Sequence, residues 1–180
     1  MDSLLDLVDA AALLWRLELA GGNVGDRWGP LAKQWLTHAD DHVLVFNDLH
    51  IALAVSRAGD PAAVERLLAS MDAYVADGAG DNREFTRDVG RSLVDAVIAF
   101  AAGDYRRTIE LILPVRYKII RIGGSHAQRD LVTQTLIVAA ERAGDWKLAQ
   151  ALLGERVAIR PTERVQRDYK QARNMTKSHS

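Results

Sequence analysis

Two clusters of polar residues carry the side chains of this sequence that could do chemistry. The first is Asn47, Asp48 and His50, and the second is His126, Arg129 and Asp130. If folding brings the clusters together, an acid, a base and a clamp for an anion meet, which is the minimum for a hydrolytic site. In the alternative, which we favour, these residues satisfy buried helix ends and join neighbouring helices, because buried polar groups need partners. We therefore assign no catalytic residue from the sequence.

A helix start after Gly123-Gly124 offers a second kind of chemistry, the binding of an anion. The free amides from Ser125 onward, with Arg121 and Arg129 nearby, suit a phosphate at the positive end of a helix. The sequence has neither the lysine motif of a phosphate-binding loop nor a dinucleotide glycine fingerprint. Anion binding at this position therefore stays an alternative.

The histidines do not have the spacing of a metal site. His38 and His42 are four residues apart, but Asp40-Asp41 between them predicts a helix start, so the pair straddles a turn. His42 and His50 are roughly 12 Å apart along a helix, too far for a common ion. The sequence also has no cysteine for a zinc–thiolate site. We expect no metal or other cofactor, and a structural or surface role for the histidines.

Four arginines near the C-terminus are spaced like one face of a helix. They are Arg156, Arg160, Arg164 and Arg167, and Pro161 interrupts the helix that would align them. Nucleic-acid binding favours such a row interleaved with stacking aromatic residues, but the aromatic content is only 6%. We therefore expect a solvated face or a docking surface for an acidic partner, and no binding of nucleic acid.

Charge is unevenly distributed along the 180 residues, although the net charge is −1. Residues 1–100 hold 16 acidic and 8 basic side chains, a balance of −8, and residues 101–180 hold 8 and 15, a balance of +7. This polarity could orient head-to-tail contacts or steer an acidic ligand to the C-terminal half, within the range that cellular salt allows.

The apolar content of 48% is ordinary for a globular domain. The opening segment 4–19 is apolar, but it includes Asp6, Asp9, Arg16 and Glu18 and lacks the basic start of a signal peptide. No other stretch reaches the roughly 18 uncharged apolar residues of a spanning helix. We expect no membrane segment and a cytoplasmic protein.

A repeated Gly-Asp step predicts how the elements are arranged. The steps Gly59-Asp60, Gly103-Asp104 and Gly144-Asp145 are separated by 44 (103 − 59) and 41 (144 − 103) residues, which suits a pair of helices per unit. Glycine accepts the left-handed conformation that ends one helix, and aspartate caps the next. Because one pair cannot bury its apolar stripe alone, the pattern predicts an all-α protein, a right-handed α-α superhelix of stacked antiparallel helix pairs.

Eight or nine helices are expected in a single domain spanning residues 1–174, followed by a frayed tail at 175–180. The expected helices are 3–20, 26–37, a third capped by Asp40-Asp41 and ending at 58, 60–76, 81–102, 105–122, 125–143, 146–159 and 162–174. Asp81 with Glu84, and Ser125 with Gln128, have the spacing of capping boxes. Pro114 should kink the sixth helix.

The last full unit resembles the tetratricopeptide pattern. It has a glycine, an aromatic, a small residue, a large apolar residue and a closing proline at matching intervals, at Gly144, Trp146, Ala149, Leu153 and Pro161. Thr133 and Ala140 stand where tryptophan and tyrosine are usual, and units of 41 and 44 residues exceed the usual length. The repeats are therefore divergent.

A longer resemblance covers nearly the whole chain. It rests on segments 6–10, 14–19, 24–28, 46–50, 116–117 and 123–130, which read DLVDA, LWRLEL, VGDRW, FNDLH, RY and GGSHAQRD. In these segments the chain resembles the C-terminal half of the tetratricopeptide repeat protein 38 family, whose members are usually longer. The resemblance implies an all-helical superhelix of no established enzymatic activity. With Arg116 from these segments, the candidate binding residues are Asn47, Asp48, His50, Arg116, Ser125, His126, Arg129 and Asp130.

The predicted function is a scaffold that binds a peptide or protein partner in its superhelical groove, because stacked helix pairs leave an extended groove. We expect no enzymatic activity, since no catalytic motif is complete. Two alternatives stay open. One is a small hydrolase-like, anion-binding or metal-binding site on the two polar clusters, and the other is a purely structural homo-oligomer.

The first helix predicts a homodimer, because its apolar positions wrap much of its circumference. These positions are Leu4, Leu5, Leu7, Val8, Ala11, Ala12, Leu14 and Trp15. A helix that is apolar on most sides is usually buried on most sides, so a second copy should cover it in a two-fold dimer. The alternative is that helices of the same chain cover it. Trp15, Trp28 and Trp35 are expected in the core.

Overall fold

The computed structural model describes residues 3–178, and all regular elements in that range are helical. The ten α-helices are α1 (Leu4–Leu19), α2 (Trp28–Trp35), α3 (Val45–Ala58), α4 (Pro61–Asp77), α5 (Asp81–Phe85), α6 (Arg91–Ala101), α7 (Tyr105–Ile112), α8 (His126–Arg142), α9 (Trp146–Ile159) and α10 (Glu163–Ser178). Short 3-10 turns cover Gly25–Arg27, Leu36–His38 and Arg116–Ile122. The predicted all-α class is confirmed.

The Gly-Asp steps form three similar turns between helices. Their glycines have left-handed backbones, with φ of +72° at Gly59, +82° at Gly103 and +75° at Gly144. Each aspartate then accepts hydrogen bonds from backbone amides of the helix that follows, at 3.0 to 3.1 Å. A side chain at the glycine positions would strain the backbone, and the carboxylate satisfies donors that the helix start leaves free. These turns build the hairpins α3–α4, α6–α7 and α8–α9.

The hairpins stack through their first helices. Helix α3 packs against α6, and α6 packs against α8. Helix α7 contacts both α6 and α8. Helix α10 packs along α9 at the C-terminal end. Nearly all buried apolar side chains of the described residues form one continuous core through these layers.

Helix α1 crosses the stack instead of extending it. It contacts α2, α3 and α8, and Trp15, 1% exposed, packs its ring 5.2 Å from the ring of Phe100 on α6. The indole nitrogen of Trp15 donates to Thr135 Oγ1 on α8 over 2.8 Å. The face shared by the first helices of the three hairpins is therefore covered by the chain itself. Trp28 and Trp35 are also buried, as predicted.

The third helix begins later than expected. It starts at Val45, and the pair Asp40-Asp41 does not cap it. His42 has a left-handed backbone with φ +42°, which stops the helix from starting earlier. Asn82 of α5 supplies the missing cap, because its Oδ1 accepts from the Val45 amide at 3.0 Å and its Nδ2 donates to the His42 carbonyl at 2.6 Å.

The expected helix 81–102 is divided by a π turn, Thr86–Gly90, which accounts for the tenth helix. Its start lacks the expected capping box, because Gly80 is the cap residue and no side chain accepts there. Gly90 lies against α3, and a Cβ there would stand 2.7 Å from Val45 Cγ1. At Gly90 the π turn thus lies so close to α3 that a larger side chain would force Val45 to move.

Three other boundaries test the sequence expectations. The Ser125–Gln128 capping box forms, with hydrogen bonds of 3.3 and 2.8 Å. Helix α7 ends at Ile112 and gives way to a 3-10 turn, so Pro114 breaks the helix where a kink was expected. Helix α10 continues to Ser178, so residues 175–178 of the expected frayed tail are helical, and residues 179–180 lie outside the described part of the chain.

Candidate functional site

The first predicted cluster does not converge on one point, because Asp48 and His50 face opposite sides of α3. Residues two apart on a helix are about 200° apart. Asp48 Oδ1 lies 3.1 Å from His42 Nδ1. His50 donates from Nδ1 to the carbonyl of Phe46 over 2.7 Å, and burial lowers the pKa of His50 to about 4, so its ring is neutral. Asn47 is half-buried beside them.

The second cluster begins α8 and satisfies its own helix start. The amide of Ser125 donates to Gln128 Oε1, and the amide of Gln128 donates to Ser125 Oγ. Arg129 turns its guanidinium onto the carbonyls of Gly123 and Gly124. The Ser125 and Gln128 amides and the Arg129 guanidinium are therefore occupied within the chain, which leaves fewer donors for the anion considered at this helix start. His126 is exposed on the first turn of α8.

Three predicted residues share one cleft between the 3-10 turn 116–122, α8 and α9. Arg116, His126 and Asp130 line this cleft of about 560 Å³. Its apolar floor consists of Ile112, Ile119, Leu136 and Leu152. Arg116 pairs with Glu155 through two bonds of 3.1 and 2.8 Å. The size and the mixture of an apolar floor with a polar rim are typical of a ligand site.

A second cavity, the basin, opens between α1, α8 and α10 and has a volume of about 790 Å³. Five arginines and three acidic residues line it, a balance of +2 (5 − 3), namely Arg16, Arg156, Arg160, Arg164, Arg167, Asp130, Glu141 and Asp168. Burial raises the pKa of Glu141, and Asp168 adds to that rise. The basin contains all four arginines of the row identified in the sequence.

Asp130 and Arg156 separate the cleft from the basin, since both residues line both cavities. Their pairing is bidentate, and Gln134 Nε2 adds a hydrogen bond of 2.7 Å to Asp130. Burial alone would raise the pKa of Asp130, but the bonds from Arg156 and Gln134 outweigh it and hold that pKa below its usual value. The wall between the cavities is thus a charged pair at neutral pH.

A third arrangement joins three residues that the sequence interpretation did not connect. His42 Nε2 lies 2.9 Å from Ser70 Oγ on α4, while His42 Nδ1 lies 3.1 Å from Asp48 Oδ1. The hydrogen bond to Asp48 raises the pKa of His42, against the effect of burial. The spacing of six residues between His42 and Asp48 was available as a signal, but the contact of His42 with Ser70 joins positions 28 apart on different elements.

No protein-family model matches this chain, and no solved structure matches it either. Within residues 3–178, no helix combines the length and the apolar character needed to cross a membrane.

Proposed function

We propose that this protein is a binding module that holds an acidic segment of a protein partner in the basin between α1, α8 and α10. The observation that carries the proposal is the concentration of arginines in one concave surface. Shape supports a ligand of several residues, because about 790 Å³ lies within the range of sites that enclose drug-sized molecules. The resemblance of the sequence to the tetratricopeptide repeat protein 38 family implies no established enzymatic activity, which agrees with a binding role.

The basin takes the place of the long groove expected from the sequence. Helix α1 covers the face of α3, α6 and α8, and displacing it would expose Trp15 and its apolar neighbours to water at a cost of several kcal/mol. Beside α1, Gln134 and Glu141 of α8 are partly exposed and line the basin. A partner therefore binds along α8 between α1 and α10.

The arginines at the rim are available to a partner. Among residues 3–178, the guanidinium of Arg160 forms no ion pair or hydrogen bond. Arg164 and Arg167 share Asp168 at 3.8 and 3.7 Å, and their side chains are 69% and 74% exposed. Exposed pairs of this length are worth little, so carboxylates of a partner compete readily for these guanidinium groups.

Binding of peptide tests the proposal. A short fluorescein-labelled peptide rich in glutamate should bind by fluorescence anisotropy, and the peptide with glutamine in place of each glutamate should bind far less. The variant with Arg160→Glu and Arg164→Glu should lose at least about tenfold in affinity, or 1.4 kcal/mol. Arg106→Glu, on the exposed start of α7, is the matched control and should bind as the wild type does. Equal binding of the two peptides contradicts the proposal.

We also propose a homodimer through α1. The chain covers most of this helix itself, but Leu5, Leu13 and Leu17 stay 70%, 58% and 46% exposed. Leu13 lies at the edge of an apolar hollow of about 340 Å³, which includes Pro30 and Leu31 of α2. A two-fold axis places the same leucine against the same hollow in both copies, which is the complementarity that a symmetric dimer needs.

A further inference from the structure

We propose that Ser70 is a nucleophile activated by His42 and Asp48, and that this second site transfers acyl groups from small esters. The site is independent of the basin and of peptide binding. It lies between α4, the start of α3 and the loop 39–44. The proposal rests on the order in which the three side chains are joined.

The atoms connect in the order that base-assisted catalysis needs. Asp48, which is fully buried, accepts from Nδ1 of His42, which fixes the neutral ring with its lone pair on Nε2. That nitrogen faces the hydroxyl of Ser70 at 2.9 Å. A base in hydrogen-bond contact with a hydroxyl, and itself oriented by a third group, is the arrangement of an activated serine.

The side chain of Asp48 has one hydrogen-bond partner among the described residues, His42. Its other oxygen, Oδ2, is buried and forms no hydrogen bond within the described residues. A carboxylate in this position interacts strongly with the one donor that reaches it, because water does not weaken the interaction. Asp48 therefore holds the ring of His42 firmly.

The backbone of His42 is held in an unusual conformation. Its φ of +42° is the only positive value of a non-glycine residue in the part of the chain that the structure describes. Asn82 fixes the His42 carbonyl at 2.6 Å, and the ring of Tyr74 stacks on the imidazole at 4.9 Å. Residues held in sparsely populated conformations concentrate at functional sites, and here the conformation aims the imidazole between α3 and α4.

The surroundings of Ser70 favour a small acyl donor. Ser70 is only partly exposed. Hydrogen bonds from Arg66 and Ser70 lower the pKa of Asp40, so a substrate displaces the Asp40 carboxylate to reach the Ser70 hydroxyl. Arg66 lies one turn before Ser70 and bonds Asp40 at 2.6 Å. Once free of this exposed pair, the Arg66 guanidinium supplies a positive charge for the oxygen that becomes negative during attack on a carbonyl.

The reaction balances with the residues present and water. The Ser70 oxygen attacks the ester carbonyl carbon while its proton passes to His42 Nε2, and the carbonyl electron pair moves onto the oxygen. When the carbonyl forms again, the bond to the alcohol oxygen breaks and that oxygen takes the proton from Nε2. Water then attacks the acyl-serine in the same way, releasing the acid and restoring Ser70.

Labelling with a fluorophosphonate probe tests the proposal. The folded wild type should acquire one label, which peptide mapping places on Ser70, and Ser70→Ala should acquire none. Asp48→Asn, which keeps the shape of the side chain, should slow labelling by roughly 100-fold. Ser56→Ala is the matched control, because Ser56 is also a partly buried helical serine and bonds only backbone carbonyls. It should label at the wild-type rate.

Two results would overturn the proposal. One is a folded wild type that leaves Ser70 unlabelled at high probe concentration. The other is a rate of labelling that is the same in Asp48→Asn and the wild type, when circular dichroism shows that both are folded. The rate of hydrolysis of a chromogenic acetate ester, measured for the same variants, must change in the same order as the rate of labelling.

Discussion

Trp15 on α1 and Thr135 on α8 lie 120 positions apart in the chain and are joined by a hydrogen bond of 2.8 Å. The hydroxyl of Thr135 in turn donates a hydrogen bond of 2.8 Å to the carbonyl of Leu131. Both side chains are buried. The first helix is thus fastened to the third hairpin by a polar contact inside an apolar core, where an unpaired indole N–H or hydroxyl would be costly.

Trp15→Ala should lower the free energy of unfolding by about 3 to 5 kcal/mol, because a large buried side chain is lost and a cavity is left. Urea denaturation followed by circular dichroism measures it. Asp9→Ala on the exposed side of the same helix is the control and should change stability by less than about 0.5 kcal/mol. Equal effects of the two changes would show that α1 does not cover the stack.

Acid should weaken the fold through His50. The pKa of His50 falls from 6.5 in the unfolded chain to about 4 in the folded protein, so the unfolded chain binds more protons between these values. The contribution of neutral His50 is complete above pH 6.5 and is lost as pH falls towards about 4, to the extent of about 3 kcal/mol. His42, whose folded pKa is raised, acts with the opposite sign.

Comparison of wild type with His50→Gln isolates this contribution, because both proteins keep His42. The stability advantage of wild type should shrink by about 3 kcal/mol between pH 7.5 and pH 4 in urea titrations. A difference that does not change with pH would mean that the imidazole of His50 is solvated in the native protein.

Asp130 and Arg156 should couple more strongly than an exposed ion pair. Their side chains are only 28% and 21% exposed, so a double-mutant cycle with Asp130→Asn and Arg156→Met should give about 1 to 2 kcal/mol. The control pair, Asp40 with Arg66, is 60% and 52% exposed at 2.6 Å and should give less than about 1 kcal/mol. Similar values for both pairs would contradict the wall described between the cavities.

Gly90→Ala should destabilise the fold, because a Cβ would stand 2.7 Å from Val45 Cγ1. Overpacking of this kind costs roughly 1 to 3 kcal/mol. Gly154→Ala in the middle of α9 is the matched control: its added Cβ would make an ordinary contact of 3.5 Å with Tyr169 Cε2, and the helix should gain roughly 0.5 to 1 kcal/mol. Thermal unfolding measures both, and opposite signs are expected.

Sedimentation velocity tests the proposed homodimer. Wild type should sediment as a dimer at high micromolar concentration, and Leu13→Glu should be monomeric because a carboxylate in an apolar interface is left without a partner. Val43→Glu, 62% exposed and distant in sequence from α1, should leave the dimer intact. A monomeric wild type rules the dimer out.

What the sequence could predict depends on how local the interaction is. The Gly-Asp turns and the Ser125–Gln128 box use residues within one turn of each other, so their pattern predicts their structure. The cap of α3 comes from Asn82, 37 positions after Val45, and no local rule points to it. The pair Asp40-Asp41 therefore predicted a helix start that is wrong, because the side chain of Asn82 caps α3 at Val45 instead.

The candidate site divides in the same way. Arg116, His126 and Asp130 were singled out, and they share the cleft because the 3-10 turn with Arg116 leads directly into α8, which carries the other two. Asp48 and His50 were grouped in one polar cluster, but helix geometry separates them by about 200°. Ser70 could not be identified, since its contact with His42 exists only after α3 and α4 have packed.

The position of α1 bears on how the molecule unfolds. An open row of hairpins touches only its neighbours, so its terminal units fray and refold by themselves. Here α1 contacts both α3 in the first hairpin and α8 in the third. Neither of these hairpins can therefore separate from the rest without losing its contacts with α1. Loss of structure should therefore be all-or-none, and refolding should wait for residues at opposite ends of the chain to find each other, which makes it slower than is usual for a helical protein.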